Sequence, residues 1–341
     1  MKICIYGAGA IGGYLAVGLS QVEGVELSVI ARGPHLEAIR RNGLKLLKDG
    51  TETVGRMQAS SDPRELGAQD VVINALKAHQ AWESAEHMAP LIGPETALVT
   101  CQNGVPWWYF HGIGGAFEGR RLRSVDPDDR QWSVIGPERA IGCVVYPATE
   151  IAEPGLIRHV YGDKFALGEP RGKSLPRTEA LSAALEKGGF KAPILGNIRD
   201  EIWLKLWGNL CFNPLSALTR GTLDVVATDP GTRAIAKAMM LEAQEIAHRL
   251  GASFRVDVER RIDGAAKVGA HRTSMLQDLE AGRAMEIDAL VTAVKEMGEI
   301  VGVETPTIDM VLALVQQLGR SLGLYGAAAP APARKAALAR A

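Results

Sequence analysis

Short apolar runs alternate with helical patterns through the first half of the chain. The apolar runs predict buried strands at residues 2–6, 25–31, 70–75 and 95–101. Helices are expected between several of these strands, one of them at about residues 79–91. Residues 44–60, which Asp49 and Gly50 interrupt, predict a hairpin or a pair of edge strands. Strands and helices in alternation are typical of a parallel sheet covered by helices.

The pattern changes in the second half of the chain. Antiparallel strands are expected at residues 140–146, 155–161 and 165–167, a helix at 176–187 and a last short strand at 190–195. From Asn197 onward strand signals almost vanish, and helical patterns cover residues 215–226, 232–250, 256–268, 274–279, 286–301 and 306–322. The expected fold class is α/β with a second, mainly α-helical C-terminal domain. We expect the domains at residues 1–196 and 197–325, followed by an Ala- and Pro-rich disordered tail at 326–341.

The helix that starts at Asn197 has clear start signals. Asn197 can accept from free backbone N–H groups of the first turn, and Asp200 and Glu201 place negative charge at the positive end of the helix dipole. The spacing of its apolar residues predicts a buried stripe of Ile202, Trp203, Leu206, Leu210 and Cys211.

Three polar residues of this helix recur every four positions and therefore share a second face: Lys205, Asn209 and Asn213. Pro214 disfavours helix at the residue before it, so Asn213 is predicted at a kink or an end, with its amide reaching outward. One cation and two amides among Trp and Leu go against local propensity, which is typical of a functional site. The alternative is a snorkelling surface lysine and two solvated asparagines.

A glycine-rich turn follows the first strand at once. Gly7, Gly9 and Gly12 form a Gly-x-Gly-x-x-Gly pattern between a strand and a helix. The first glycine permits the tight turn, the second lets the backbone approach a pyrophosphate, and the third lets helix and strand pack closely. We therefore expect a Rossmann-like domain in which a dinucleotide is bound by Gly7, Ala8, Gly9, Ala10, Ile11 and Gly12. A purely structural glycine turn is the alternative.

Arg32 occupies the end of the second strand, where NAD-binding proteins usually carry an acid for the ribose 2′-hydroxyl. An arginine at this place suits a 2′-phosphate, so NADP(H) is favoured over NAD. The alternative is an exposed arginine in the loop before a helix at residues 35–41, which Gly43 would close.

Lys77 and Asn103 follow two successive predicted strands. Because ligands sit beyond the carboxyl ends of parallel strands, we expect both side chains on the rim that faces the cofactor. Asn103 and Gly104 also form an ordinary turn dipeptide, so each residue alone would be weak evidence.

The segment at residues 105–137 does not read as a regular strand and helix. Its four consecutive aromatic residues, 107–110, lie beside glycines and a basic, Asp-rich stretch. An aromatic lid, a dimer contact or a local core would each fit this pattern.

Composition favours small-molecule partners. Charged residues make up 23% of the 341 residues and the formal net charge is -1, which offers no general attraction for nucleic acid or an anionic membrane.

The four cysteines are far apart, so neither a metal site nor a disulfide framework is indicated, and they suit a reducing cytoplasm. Residues 3–22 carry no charge, but their glycines fit the dinucleotide turn better than a signal peptide or a membrane span. The oligomeric state is left open, a homodimer included.

These motifs occur in the order found in ketopantoate reductase, also called 2-dehydropantoate 2-reductase, and the chain resembles that family over nearly its whole length. The tail after Leu322 lies outside the resemblance. The matching segments are the glycine turn, Arg32, residues 76–78, 102–104, 197–205, 213–215, 274–278 and 286–288.

The resemblance implies NADPH-dependent reduction of the 2-oxo acid ketopantoate to pantoate, in pantothenate and coenzyme A biosynthesis. It implies that Lys205 donates the proton and that Glu286 helps to bind the substrate and supports that lysine. It also implies a place near the cofactor for Lys77, and contacts with the substrate that are made by Asn103, Asn209, Asn213 and Ser274. The chemistry is coherent, because hydride arriving at a carbonyl carbon leaves negative charge on its oxygen, which an ammonium can stabilise and then protonate.

Other interpretations are open at this point. Taken alone, Glu286 could be a surface glutamate in a first helical turn, and Ser274 could be an N-cap. A reductase of another 2-oxo acid, or a β-hydroxy acid dehydrogenase of the same architecture, would show many of the same features. A non-catalytic NADP(H)-binding sensor would need the glycine turn, but it would not need Lys205, Glu286 and Asn103 together.

Overall fold

The computed structural model describes residues 1–326, and the chain divides into two compact units. The first unit is Met1–Lys205 and the second begins at Leu206, so the division falls inside the helix Ile198–Thr219. The predicted boundary at residue 197 lies just before this helix. The predicted tail at 326–341 lies outside the described residues, apart from Gly326.

The first unit contains two sheets. Its strands are β1 (Lys2–Tyr6), β2 (Glu26–Ile30), β3 (Leu44–Lys48), β4 (Thr51–Gly55), β5 (Gln58–Ser60), β6 (Gln69–Asn74), β7 (Ile92–Thr100), β8 (Ala140–Val145), β9 (Ala148–Glu153), β10 (Leu156–Tyr161) and β11 (Phe165–Gly168). Seven of them form a large sheet in the order β11-β8-β7-β6-β1-β2-β5, and the other four form a small sheet in the order β4-β3-β10-β9.

The large sheet is parallel except at β11, which pairs antiparallel with β8. The chain proceeds from β1 to β2 and β5 in one direction, and β6, β7 and β8 extend from β1 in the other. The order therefore reverses between β1 and β6, which is the point where open α/β sheets bind ligands. Ile3, Cys4 and Ile5 are fully buried, as expected for a parallel strand covered on both faces.

The helices of the first unit are α1 (Ala10–Leu19), α2 (Gly33–Asn42), α3 (Ala78–Ala81), α4 (Ala85–Met88), α5 (Arg130–Val134) and α6 (Pro176–Lys187), and α7 (Ile198–Thr219) begins in it. Helix α1 contacts strands of both sheets, which explains why it is apolar nearly all round. The predicted Rossmann-like α/β domain is confirmed.

Several local predictions for this unit are wrong. The helix expected at 79–91 is broken by 3₁₀ turns at Trp82–Ser84 and Ala89–Leu91, the second of which contains Pro90. Strand β8 pairs antiparallel with β11, as expected, but its other neighbour, β7, is parallel to it. Strand β9 was not predicted, because four of its six residues are exposed and two are glutamates. Residues 190–195 make only isolated bridges, since Pro193 has no N–H to donate.

The second unit is helical, as predicted. Its further helices are α8 (Leu223–Thr228), α9 (Pro230–Arg249), α10 (Val258–Ala266), α11 (Ser274–Glu280), α12 (Ala293–Val301) and α13 (Pro306–Ser321), with a π-helical turn at Asp288–Thr292. Helix α9 packs against α8, α10, α12 and α13. The Glu242 carboxylate of α9 accepts from the backbone N–H groups of Thr307 and Ile308 and so caps α13. Within residues 1–326, none of the helices has the length and apolarity required to cross a bilayer.

Helix α7 does not end at Asn213. It continues through Pro214 to Thr219 and stops before Arg220, whose φ is +60°. The helix predicted at 215–226 is therefore split between α7 and α8. Proline inside a helix costs about 3 kcal/mol, but the buried side chains of Phe212 and Leu215 on either side favour the helical path through packing.

Candidate active site

The glycine turn has the geometry that each of its three glycines was expected to provide. Gly7 has a φ of +98°, which favours glycine. A Cβ on Gly12 would lie 2.0 Å from the Gly7 carbonyl oxygen, so only glycine allows this approach of helix to strand. Among residues 1–326, a Cβ on Gly9 would meet nothing within 4 Å, and no side chain caps the N-terminus of α1 that begins there. The turn therefore leaves open space in front of free helix N–H groups, which fits a pyrophosphate.

Buried donors lie along the same edge of the sheet. Asn74 ends β6 and is 1% exposed; its Oδ1 accepts from the backbone N–H of Leu76 at 3.2 Å. The side-chain nitrogens of Asn74 and Gln102 are buried and have no hydrogen-bond partner among the described residues. Lys77 follows at the N-cap of α3. Polar groups of a dinucleotide at the β1–β6 switch would satisfy such donors.

Arg32 lies at the carboxyl end of β2 and is the N-cap residue of α2, with an exposed side chain. Its positive charge acts on Tyr6 at the end of the neighbouring strand β1. Burial raises the pKa of the Tyr6 hydroxyl, and the Arg32 guanidinium partly lowers it again. An exposed guanidinium beside the glycine turn is compatible with a 2′-phosphate.

His35 was missed by the sequence analysis. Its Nδ1 accepts from the backbone N–H of Gly155 at 3.0 Å, and its Nε2 lies 2.7 Å from the Ala8 carbonyl oxygen. Because Nδ1 must accept, Nε2 carries the proton and donates to Ala8. The imidazole thus ties the glycine turn to the turn between β9 and β10.

Lys205 is held at the carboxyl edge of the large sheet. Its ammonium donates to Asn103 Oδ1 at 2.7 Å and to the carbonyl oxygen of Val145. Asn103 follows β7 and Val145 ends β8, so the structure brings together two predicted residues that are 102 positions apart. Val145 was missed, because a backbone carbonyl has no residue-type signal in the sequence.

The first turn of α7 is anchored as predicted at Asn197, whose Oδ1 accepts from the backbone N–H of Arg199 at 3.2 Å. The predicted stripe of Ile202, Trp203, Leu206, Leu210 and Cys211 is buried throughout. Glu201 does more than complement the helix dipole. It is 3% exposed, and its Oε1 accepts from the Tyr146 hydroxyl at 2.6 Å and from Lys164 Nζ at 2.7 Å.

The aromatic run at residues 107–110 forms a local core of the first unit. All four side chains are 2% exposed or less. Trp203 donates to the Tyr109 hydroxyl at 2.7 Å, and the buried Arg199 guanidinium donates to the carbonyl oxygens of Tyr109, His111 and Pro170. Of the three interpretations that the sequence left open, the local core describes these four residues.

The remaining predicted residues belong to the second unit. Asn213 is 5% exposed, and its Nδ2 donates to Ser274 Oγ at 3.3 Å, so its amide is buried rather than directed outward. Ser274 is the first residue of α11, which is capped by Thr273 instead. Asn209 is half-buried one turn before Asn213, and Glu286 is half-buried just before the π-helical turn. The structure thus pairs Asn213 with Ser274, and the roles of these four residues stay predictions.

Comparison with known proteins gives a consistent result. Residues 3–172 match the model of the family "Ketopantoate reductase PanE/ApbA", and residues 197–319 match "Ketopantoate reductase PanE/ApbA C terminal". A curated 2-dehydropantoate 2-reductase from Mesorhizobium japonicum is 57% identical over 325 residues, which cover 95% of this chain and 100% of that protein.

Solved structures agree with these matches. One from Ralstonia solanacearum, provisionally assigned as a ketopantoate reductase, is 42% identical with a TM-score of 0.90, covering 95% of this chain and 99% of its own. A 2-dehydropantoate 2-reductase from Geobacter metallireducens is 27% identical with a TM-score of 0.80, covering 93% of this chain and 100% of its own.

Proposed function

Because the chain belongs to the ketopantoate reductase family, we propose that NADPH is the hydride donor in its reduction of ketopantoate to pantoate. The chain is an oxidoreductase, and the family's reaction is this reduction of a 2-oxo acid with a nicotinamide dinucleotide. Arg32 supports the choice of NADPH over NADH, since its guanidinium is exposed at the strand end beside the glycine turn.

The Arg32→Ala variant tests the choice of dinucleotide. A charge-assisted hydrogen bond to the 2′-phosphate is worth about 1.5–3 kcal/mol, so the KM for NADPH should rise roughly 10- to 150-fold. The KM for NADH should change little. Arg41→Ala is the matched control, because Arg41 is an exposed arginine in the last turn of the same helix. Equal effects of Arg32→Ala on the two dinucleotides would remove the 2′-phosphate assignment.

Lys205 is our candidate for the proton donor, and the observation that carries this proposal is its hydrogen bond to Asn103 at the carboxyl edge of the sheet. A nicotinamide dinucleotide bound at the glycine turn would supply the hydride. The Lys205 ammonium stabilises the negative charge on the substrate oxygen and then protonates it, while Asn103 and the Val145 carbonyl fix the position of Nζ.

Amides, a hydroxyl and a carboxylate are proposed to bind the rest of the substrate. Asn209, Asn213 and Ser274 can orient its hydroxyl and carboxylate groups without adding charge, and the hydrogen bond between Asn213 and Ser274 supports a shared task for these two. Glu286 is proposed to contact the substrate and to support Lys205. Lys77 and Asn103 are proposed to lie near the cofactor, together with residues Gly7, Ala8, Gly9, Ala10, Ile11 and Gly12 of the turn.

Replacement of Lys205 by alanine tests the catalytic proposal. A general acid contributes roughly 10²- to 10⁴-fold, so kcat should fall by that factor while the Kd for NADPH stays within about twofold of wild type. Lys45→Ala is a suitable control, since Lys45 forms a surface ion pair with Glu52 in the same unit. A loss of kcat smaller than about tenfold would contradict the role of Lys205.

A panel of 2-oxo acids, followed by NADPH absorbance, tests the substrate. Ketopantoate should have the highest kcat/KM. A higher value for another 2-oxo acid would favour the related reductases, and tight NADPH binding without any turnover would favour a sensor.

The four cysteines are free and buried, which supports the predicted reducing cytoplasm. The homodimer stays a prediction.

A further inference from the structure

Glu201 is a buried carboxylate that the proposed reaction does not yet use. It is 3% exposed and lies four residues before Lys205 on α7. Residues four apart on a helix are neighbours on one face, and a glutamate that precedes a lysine at this spacing is the favourable order. Burial of a carboxylate is costly unless it is paired and hydrogen-bonded, so the partners of Glu201 determine what this residue can do.

Tyr146 and Lys164 hold this carboxylate in place. Both donate to the same oxygen of Glu201, at 2.6 Å from the Tyr146 hydroxyl and 2.7 Å from Lys164 Nζ. The backbone of Tyr146 is fixed in turn, because its N–H donates to the Lys164 carbonyl oxygen at 3.1 Å. The hydrogen bonds from the Tyr146 hydroxyl and the Lys164 ammonium, together with the backbone bond between these two residues, restrict the Glu201 side chain to one position.

The same tyrosine ring faces the Lys205 ammonium. Lys205 Nζ lies 5.9 Å from the ring centroid of Tyr146, and Lys164 Nζ lies 4.6 Å from it. Tyr146 also follows Val145 directly in the chain, and the Val145 carbonyl accepts from Lys205. The ammonium groups of Lys164 and Lys205 therefore both contact the ring of Tyr146, and the Glu201 carboxylate accepts a hydrogen bond from the hydroxyl of that ring.

The charges around Lys205 make Glu201 important. In the first unit, Tyr146 and Cys101 interact with the Lys205 ammonium directly, and Glu201 and Lys164 adjoin it through their contacts with Tyr146. A hydrogen bond with Cys143 and burial raise the pKa of Cys101 well above its usual range, so this thiol stays neutral. Among these groups Glu201 is the anion, and it offsets the repulsion between the two lysines.

We propose that Glu201, held by Tyr146 and Lys164, is a positioning residue that keeps the Lys205 ammonium charged and directed toward the reacting carbonyl. This inference rests on the proposed role of Lys205 as proton donor. An adjacent carboxylate favours the charged form of an ammonium, and that form is the one that can give a proton to the substrate oxygen.

The pH dependence of kcat in Glu201→Gln tests the inference. Glutamine keeps the shape and an oxygen acceptor for Tyr146 and Lys164 but removes the charge. We expect the alkaline limb of the kcat profile to move to lower pH by roughly one unit or more, so that kcat on that limb falls up to about tenfold at a given pH while kcat well below the limb changes little. The KM for NADPH should be unchanged. Glu150→Gln is the matched control, because it removes the same charge from an exposed ion pair with Arg158.

Tyr146→Phe provides a second variant if Glu201→Gln does not fold. It keeps the ring and the carboxylate and removes one hydrogen bond, so kcat should fall roughly two- to tenfold with the KM for NADPH unchanged. Glu201→Gln with a wild-type kcat profile and only a lowered melting temperature would show a structural role and overturn the inference.

The same assay on Lys205→Ala distinguishes a failure of the positioning role of Glu201 from a failure of proton donation by Lys205. If Lys205→Ala loses turnover while Glu201→Gln and Tyr146→Phe keep the wild-type profile, the positioning role fails and the proton donor survives. If Lys205→Ala retains turnover, the proton donor itself fails and the role of Glu201 falls with it.

Discussion

Alanine substitutions at Gly9 and Gly12 of the same turn should affect different properties, because the two positions have different surroundings. A Cβ on Gly12 would lie 2.0 Å from the Gly7 carbonyl oxygen and 2.9 Å from Ile5 Cγ2, so strand and helix would have to separate. A Cβ on Gly9 would meet no atom of the described part of the chain within 4 Å, and its φ of -67° suits alanine. Gly12→Ala should therefore damage the fold, and Gly9→Ala should damage only the approach of the dinucleotide.

The sizes of the two effects follow from these distances. Overpacking costs about 1–3 kcal/mol, which should lower the melting temperature of Gly12→Ala by roughly 2–12 °C. Gly9→Ala should keep the wild-type melting temperature or gain about 0.4–1 kcal/mol in stability. If its methyl group removes one hydrogen bond between a phosphate and the backbone, about 1.5–3 kcal/mol is lost, and the Kd for NADPH rises roughly 10- to 150-fold.

Differential scanning calorimetry and NADPH fluorescence titration measure the two quantities on the same samples. We expect Gly9→Ala to be stable and to bind NADPH poorly, and Gly12→Ala to be destabilised. Wild-type NADPH affinity in Gly9→Ala would refute the assignment of the open space to the pyrophosphate. A melting temperature for Gly12→Ala equal to that of the wild type would refute the packing argument.

Two further predictions concern buried polar groups. Arg199→Lys should lower the melting temperature, because one ammonium cannot reproduce the hydrogen bonds from the guanidinium to the carbonyl oxygens of Tyr109, His111 and Pro170. Each carbonyl left unpaired costs about 1–3 kcal/mol. Arg158→Lys, at an exposed position, should leave the melting temperature unchanged, and an unchanged value in Arg199→Lys would contradict the prediction. Burial raises the pKa of the Cys4 and Cys211 thiols to about 12, from an ordinary 9.0. The folded state then holds these protons more tightly than the unfolded state, so their contribution is complete below about pH 9 and is lost as the pH rises toward 12. The melting temperature should therefore decline above pH 9 more steeply than in Cys4→Ala/Cys211→Ala, and equal slopes would contradict the assignment.

The parts of the fold that depend on local sequence were predictable. Strand β1 and helix α6 have the predicted bounds, because an apolar run or a Pro and Gly at the two ends specifies each of them within a few residues. The three glycines of the turn could be assigned separate geometric roles for the same reason. Among the candidate site residues, Lys205 and Asn103 were each recognisable, and the structure adds the hydrogen bond between them.

The parts that depend on distant residues were not predictable. Helix α7 continues past Pro214 because buried side chains on both sides favour it, and a rule based on the proline alone cannot weigh that packing. The contact of Lys205 with a carbonyl and the two bonds of His35 use backbone groups, which every residue carries. Glu201 could have been suspected from its spacing to Lys205, but only the fold reveals its burial against Tyr146 and Lys164.

Chemical rescue of Lys205→Ala by small primary amines tests the central claim most directly. Alanine leaves room where the lysine side chain lay, so methylammonium or ethylammonium can bring a proton donor to the substrate oxygen. We predict that ketopantoate turnover by the NADPH complex of this variant is lost and then rises with amine concentration, while wild type and Lys45→Ala do not respond. Turnover by Lys205→Ala that is close to wild type without amine, or that no amine restores, would contradict proton donation by Lys205.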